Sequence, residues 1–395
     1  MKILVINCGS SSLKYQLIDM EGEKLIAKGT YERIGGESFL THKINGESFV
    51  LEHPVTNHKD ALDFSIEQLL NKEHPAINEM DEIGAVGHRI VQGAEYFDSA
   101  ALIDEEVIAK IEDCAKLAPL HNPAAVIGIR ACQELLPNAP MVAVFDTAFH
   151  QTIPDERYMY SIPYEYYEKY KVRKYGAHGT SHYYVANRIA EIMGKDVKDL
   201  KVINCHLGQG ASICAIEGGK SVETSMGLTP LGGIPMCARA GDLDPSIVTF
   251  IMKNENLDSD EMERILNNES GMYGICGVSK DVRDIEAAID DGNEEAKRAL
   301  EYFKYRVAQF IAKYTLSMQG VDVITFTAGI GENQIRVRKG IIDYLKYMGI
   351  KIDDERNNVR SEEVKISSDD STVPVWIIPT NEELVIARET LKLCK

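Results

Sequence analysis

The chain has 395 residues, more than one hydrophobic core usually serves, so two domains of ordinary size are expected. Its formal charge of −18 argues against a general nucleic-acid or membrane surface, which would need a basic face. Any anionic substrate must therefore meet positive charge concentrated in a few Arg, Lys or backbone N–H groups. No apolar run is long enough for a membrane span, and the short run before Asn7 is too brief for the core of a signal segment. The eight cysteines carry no Cys-x-x-Cys pair and read as small buried thiols in a reducing, cytoplasmic compartment.

Residues 2–8, 13–19 and 24–31 alternate at period two and predict a three-stranded antiparallel meander. A helix over 61–70, a buried strand over 83–90, helices over 104–117 and 123–136 and a buried strand over 141–145 follow. Arg89 and Asp146 fall at the carboxyl ends of those strands, where open α/β sheets bind ligands. Residues 153–175, rich in Pro and Tyr, predict an irregular connection. The second half repeats the alternation, with a helix over 181–193, strands over 200–206 and 211–217, and helices near 245–253, 259–267 and 294–318. Strands over 321–326 and 373–378 and a helix over 382–393 close the chain.

Val5-Ile6-Asn7-Cys8 recurs as Val202-Ile203-Asn204-Cys205, and each copy leads into a turn of small residues and a second alternating stretch. The pattern predicts one phosphate-binding hairpin used twice. Gly/Ser hairpins can aim several N–H groups and hydroxyls at phosphate oxygens. Asn7, Ser10, Ser12 and Lys14 offer such a set in the first copy; His206, Gly208, Gln209 and Gly210 offer one in the second. The familiar nucleotide fingerprints fail. Gly219-Lys220-Ser221 lacks the earlier glycine of a P-loop, and neither Gly208-Gln209-Gly210 nor Gly329-Ile330-Gly331 completes a dinucleotide motif.

The small residues of 325–333 would let a backbone lie against adenosine or phosphate. Arg89 and Arg239 sit among small neighbours, and a guanidinium fork matches carboxylate or phosphoryl oxygens. Asp146 follows an apolar strand. His178 and His182 have the spacing of a zinc helix without its glutamate, so metal ligation is discounted. Thr180 or Ser181 is expected to cap the following helix, leaving His178 to donate to an anion; His121 sits at another expected helix start, where capping is the competing role.

These segments resemble the acetate and propionate kinase family, through residues 7–14, 117–123, 142–154, 178–182, 224–231, 241–245, 327–333 and 380–387. The resemblance implies an α/β fold of duplicated actin-like (ribonuclease H-like) domains, each a mixed five-stranded sheet with flanking helices, with the active site in the interdomain cleft. It implies domains of residues 1–147 plus 382–395 and of residues 148–381, and a homodimer. The implied reaction is reversible in-line transfer of the γ-phosphoryl group of ATP to acetate, giving acetyl phosphate and ADP, with Mg²⁺ or Mn²⁺.

By the same resemblance Arg89 grips the carboxylate, His178 and Arg239 stabilise the phosphoryl group in flight, and Asp146 orients the assembly. Asn7 and Glu382 hold the metal, directly or through water. Ser10, Ser12 and Lys14 serve the first phosphate turn. His206, Leu207, Gly208, Gln209 and Gly210, with Asp281, Val282 and Arg283, line the nucleotide site. Gly329, Ile330, Gly331, Glu332 and Asn333 complete it. Val91, Leu120, His121, Ala177 and Pro230 surround the acyl group.

The chain departs from the family pattern at Gln92-Gly93-Ala94, where His-Gly-Gly is usual, at Gln209 in place of Asn, and at Pro235, Cys237, Ala238 and Ala240 beside Arg239. Ala177 replaces an aromatic residue. That loss of volume predicts a roomier acyl pocket suited to propionate, butyrate or a branched acid. A reading from another class is a catalytically weak, actin-like nucleotide-binding module; the presence of Asn7, Arg89, Asp146, His178, Arg239 and Glu382 speaks against it.

Overall fold

A computed structural model describes residues 1–119 and 121–395. The period-two alternation at the start of the chain forms β1 (Lys2–Cys8), β2 (Ser12–Asp19) and β3 (Lys24–Glu32). The meander runs further than expected, into β4 (Phe39–Ile44) and β5 (Glu47–Glu52). β5 has no fully buried residue, and only Phe49 and Leu51 are half-buried against the core. β6 (Ile83–Ile90) and β8 (Met141–Phe145) add in parallel, and the two-residue β7 (Ala101–Leu102) pairs antiparallel with β8 at the edge.

The resulting sheet has eight strands in the order β5-β4-β3-β2-β1-β6-β8-β7. With it belong helices His58–Leu69, Glu105–Asp113, Asn122–Leu135 and Glu382–Cys394, and together they form a compact unit of Met1–Phe149 plus Asn381–Lys395. Asn57, Asp104 and Asn381 each cap a helix by accepting from a backbone N–H of its first turn. The last helix lies so close to β6 that a Cβ on Gly87 would stand 2.5 Å from Thr390 Oγ1 and 2.7 Å from Ile386 Cγ2.

The second unit, His150–Thr380, holds β9 (Lys201–Leu207), β10 (Ala211–Glu217), β11 (Lys220–Thr224), β12 (Val323–Thr327), β13 (Val364–Lys365) and β14 (Val375–Ile377). Their order is β11-β10-β9-β12-β14-β13. The runs β3-β2-β1-β6-β8 and β11-β10-β9-β12-β14 share both order and strand directions. Each sheet therefore contains the expected mixed five-stranded core and exceeds it, by three strands in the first and one in the second.

The duplication has a register that the repeated tetrapeptide misses. The hairpins close with Cys8 opposite Leu13 and Leu207 opposite Ala211. Asn7 therefore corresponds to His206, and Asn204 stands two residues earlier on the strand. A shift of two keeps a side chain on the same face of a sheet, so Asn204 and His206 share one face of β9.

Helix Gly179–Met193 begins two residues before its expected start. The stretch expected to be irregular carries the short helices Asp155–Tyr158 and Glu165–Tyr170. Helices Pro245–Glu255, Ser259–Asn268 and Glu294–Ser317 match expectation, and Gly271–Cys276, Val282–Asp290 and Ile335–Asp343 join them. The long helix supplies Leu300, Phe303, Val307 and Ile311 to the core of this unit. No helix among the described residues is long and apolar enough to cross a membrane.

Candidate functional site

In the first unit the turn after β1 is closed by Gly9 N donating to Ser12 O at 2.8 Å, and the His58 ring donates to Gly9 O at 2.6 Å. Ser10 is exposed at the tip of this turn and Ser12 is half-buried. Asn7 and Lys14 face each other across the hairpin and line a cavity of about 450 Å³. Lys28, Lys43, Glu32 and Glu383 line it too; sequence reasoning missed them, although they stand on period-two polar positions of the meander and beside Glu382. Burial, followed by the neighbouring Glu382 carboxylate, raises the Glu383 carboxyl above its ordinary pKa.

Arg89 leaves the end of β6 and forks onto Asp146, which directly follows β8. Its Nε donates to both carboxylate oxygens at 3.1 and 3.2 Å, and Nη2 donates to Oδ2 at 2.7 Å. Glu382 Oε1 lies 3.8 Å from the same Nη2. Burial opposes the charge on Arg89, but the Asp146 and Glu382 carboxylates outweigh it and hold the guanidinium above its ordinary pKa. Asp146 is only 1% exposed and Arg89 19%. Asp146 thus takes up the Nε–Nη2 edge of the guanidinium and fixes its orientation.

The loop after β6 is fixed by the residues that depart from the family pattern. Gln92 is buried; its backbone N–H donates to Asn122 Oδ1 at 3.2 Å and its Oε1 accepts from Ala94 N at 2.9 Å. Asn122 Nδ2 returns a bond to Gln92 O at 2.9 Å. Val91 and His121 are half-buried in this unit. His121 occupies the N-cap position of its helix, but its side chain makes no capping bond. Leu120 lies outside the described residues.

In the second unit Gly208 N donates to Gly210 O at 3.1 Å to close the second turn. Arg239 Nη1 and His178 Nε2 converge on it: a Cβ on Gly210 would stand 3.5 and 3.6 Å from them. His178 is the N-cap residue of helix Gly179–Met193, with φ +57°, correcting the expectation of a Thr180 or Ser181 cap. Both hydroxyl residues are buried within the first helical turn, where Ser181 Oγ bonds His206 Nδ1 at 2.7 Å. The His178 and His206 rings stack at 4.0 Å.

Arg239 is half-buried, and Nη1 contacts Pro230 O at 3.4 Å. Among the described residues no carboxylate reaches ion-pair distance of it. Burial lowers its pKa, and a guanidinium keeps its charge in proteins. Gly271 holds the loop: with φ +63°, a Cβ there would meet Met236 O at 2.2 Å and Arg239 O at 2.7 Å.

A second cavity of about 450 Å³ gathers Gly208, Gln209, Asp281, Val282, Arg283, Gly329, Ile330 and Asn333. Sequence reasoning missed Lys280, Cys237, Gln334 and Arg360 on its wall. Asp281 caps helix Val282–Asp290 and pairs with Arg283, which pulls its carboxyl below the ordinary range. His206, Leu207, Gly210, Gly331 and Glu332 are not on that wall. Leu207 is wholly buried in the core. Glu332 Oε1 instead accepts from Ala328 N at 2.8 Å, Thr327 Oγ1 at 3.3 Å and Thr380 N at 3.3 Å, bracing the strand-to-helix turn. Buried Arg338 braces the same segment by donating to Gly331 O at 3.1 Å.

Ala177 is buried in the apolar core of this unit and lines neither cavity; its carbonyl accepts from the His150 ring at 2.9 Å. No cluster of three His, Cys, Asp or Glu side chains with metal-holding geometry occurs among the described residues.

The Acetokinase family model matches residues 2–388. An acetate kinase of Clostridium botulinum (strain Kyoto / Type A2) is 57% identical over 394 residues, covering 100% of this chain and 99% of that one. The crystal structure of Porphyromonas gingivalis acetate kinase superposes with a TM-score of 0.95 at 44% identity, covering 100% of both chains. That of a propionate kinase from Francisella tularensis subsp. tularensis SCHU S4 gives 0.93 at 42% identity, covering 99% of each.

Proposed function

We propose, from the premise that this chain belongs to the acetokinase family and is a carboxylate kinase, that it transfers the γ-phosphoryl group of ATP to acetate, reversibly and in line. The observation that carries the reading is the convergence of Arg239 Nη1 and His178 Nε2 on the Gly208–Gly210 turn. A carboxylate is already a nucleophile and needs no general base. What the reaction needs is alignment of two anions and neutralisation of the charge between them.

Arg89, whose Nε and Nη2 are held by Asp146, turns its Nη1–Nη2 edge to the acetate carboxylate. Arg239 and His178 place a permanent cation and an imidazole beside the transferring phosphoryl group. Gly208, Gln209, Asp281 to Arg283 and the turn at Gly329 to Asn333 cradle the nucleotide, with Lys280 and Arg360 adding positive charge. Asn7 and Glu382 offer the hard oxygen donors suited to Mg²⁺ or Mn²⁺; bound there, the ion would neutralise phosphate charge. Two actin-like domains, a homodimer and a cytoplasmic setting complete the proposal.

Acetate is favoured over a longer acid because the relatives at 57% identity are acetate kinases. The test traps acyl phosphate with hydroxylamine in the presence of ATP and Mg²⁺, across the acids from formate to hexanoate. Acetate is expected to be used with the highest kcat/KM. Faster use of propionate or butyrate would sink the acetate assignment, and no hydroxamate from any acid would sink the kinase reading.

A further inference from the structure

Beneath the second phosphate turn runs a line of hydrogen bonds through residues to which the reaction has assigned nothing. Thr325 and Asn204 are direct partners in the parallel pairing of β12 and β9, and Thr325 Oγ1 donates to Asn204 Oδ1 at 2.8 Å. Asn204 Nδ2 faces His182 Nδ1 at 2.9 Å, His182 Nε2 faces Ser212 Oγ at 2.8 Å, and Ser212 Oγ faces His178 Nδ1 at 2.9 Å. Thr325, Asn204, His182 and Ser212 are all fully buried.

The proton positions along this line follow from valence. An amide nitrogen only donates, so His182 Nδ1 must accept from Asn204. His182 is deeply buried and held neutral, burial first and the neighbouring His150 and His206 next lowering its pKa well below the ordinary value. A neutral imidazole that accepts at one nitrogen carries its proton on the other. His182 Nε2 therefore donates to Ser212 Oγ. Accepting there, Ser212 Oγ keeps its own hydroxyl proton to donate, and His178 Nδ1 at 2.9 Å is placed to accept it.

We propose that Asn204, His182 and Ser212 form a one-way hydrogen-bond relay that holds His178 as its Nε2–H tautomer, so that it presents a proton donor to the transferring phosphoryl group. The proposal rests on the role given above to His178 and names the residues that make that role possible. These three are positioning residues, since none reaches the turn itself. A second contact steadies the same point: His150 donates to Ala177 O at 2.9 Å, fixing the peptide before His178, whose backbone sits at φ +57°. The reversed tautomer would aim a lone pair at anionic oxygens. That arrangement repels where a donor attracts.

The test begins with the unmutated enzyme, labelled with ¹⁵N-histidine and examined by long-range ¹⁵N–¹H correlation at a pH where His178 is neutral. One Nε2–H tautomer is expected at both His178 and His182; an Nδ1–H tautomer at His178 overturns the relay. Ser212→Ala and Asn204→Ala are expected to leave His178 a mixture of tautomers and to lower kcat by roughly ten- to a hundredfold, with KM for ATP unchanged. Ser212→Thr keeps a hydroxyl and is expected to recover most of the loss. A Ser212→Ala enzyme with unaltered kcat and a single Nε2–H signal also overturns the relay. His178→Ala separates the two ideas: if it retains full kcat, the phosphoryl role of His178 fails, whereas a large loss in His178→Ala beside none in Ser212→Ala defeats the relay alone. Should the variants fail to fold, the tautomer in the unmutated enzyme still decides.

Discussion

Arg89 and Asp146 show how a buried charge is kept in place. Asp146 is 1% exposed, and a carboxylate that deep is tolerated because the Arg89 fork satisfies both oxygens. Removing one partner breaks a buried ion pair, which costs about 3–5 kcal/mol, more than the pair itself contributes. Arg89→Ala is thus expected to lower the urea midpoint markedly, and adding Asp146→Asn to restore much of it; equal midpoints for Arg89→Ala and the parent chain would defeat the argument. Ala94 presents the opposite case. It stands at φ +47° where the family pattern has glycine, so Ala94→Gly relieves roughly 1–2 kcal/mol of left-handed strain while losing a buried methyl worth roughly 0.8 kcal/mol. Thermal unfolding is expected to shift little or upward, and a large fall in Tm would refute the balance.

At the scale of elements, the turns carry the proposed site residues and the strands carry the turns. The two hairpins share a fold, yet their side chains have diverged: Asn7 and His206 occupy equivalent places. The loop bearing Arg239 depends on helix Gly271–Cys276, whose first residue makes room for the carbonyls of Met236 and Arg239. Gly271→Ala forces both backbone strain and a clash with carbonyl oxygens that cannot rotate away. A loss of roughly 2 kcal/mol or more is expected, together with a lower kcat as Arg239 shifts. Normal kcat in a folded Gly271→Ala enzyme would show that the loop is not held there. These elements were legible to different degrees. Strands β1 to β3 announce themselves by alternation; β5 is short, with only Phe49 and Leu51 half-buried, and Val282–Asp290 is an amphipathic helix of nine residues that sequence reasoning passed over.

For the whole molecule, buried histidines set the acid limit of stability. Burial lowers the pKa of His88 to about 3 and of His150 to about 4, and carries His182 well below its ordinary value. In the unfolded chain each titrates near 6.5. The unfolded state therefore binds more protons below that pH, so stability is full above about 6.5 and falls as pH drops, by up to about 1.4 kcal/mol per pH unit for each histidine. Urea midpoints are expected to fall between pH 7 and pH 5, before paired carboxylates begin to protonate; a flat profile would contradict neutral burial. What the sequence by itself determined was the duplication, the elements with strong periodicity, and the candidacy of residues such as Arg89, Asp146, His178 and Arg239, because charge among small neighbours and period-two alternation are local properties. Only the tertiary structure decided that Asn7 matches His206 and not Asn204, that Asp146 orients Arg89, that Ala177 faces the core, and that Asn204 reaches His178 through His182 and Ser212. Strand register and hydrogen-bond direction arise from pairing between segments distant in the chain, and no local pattern encodes them.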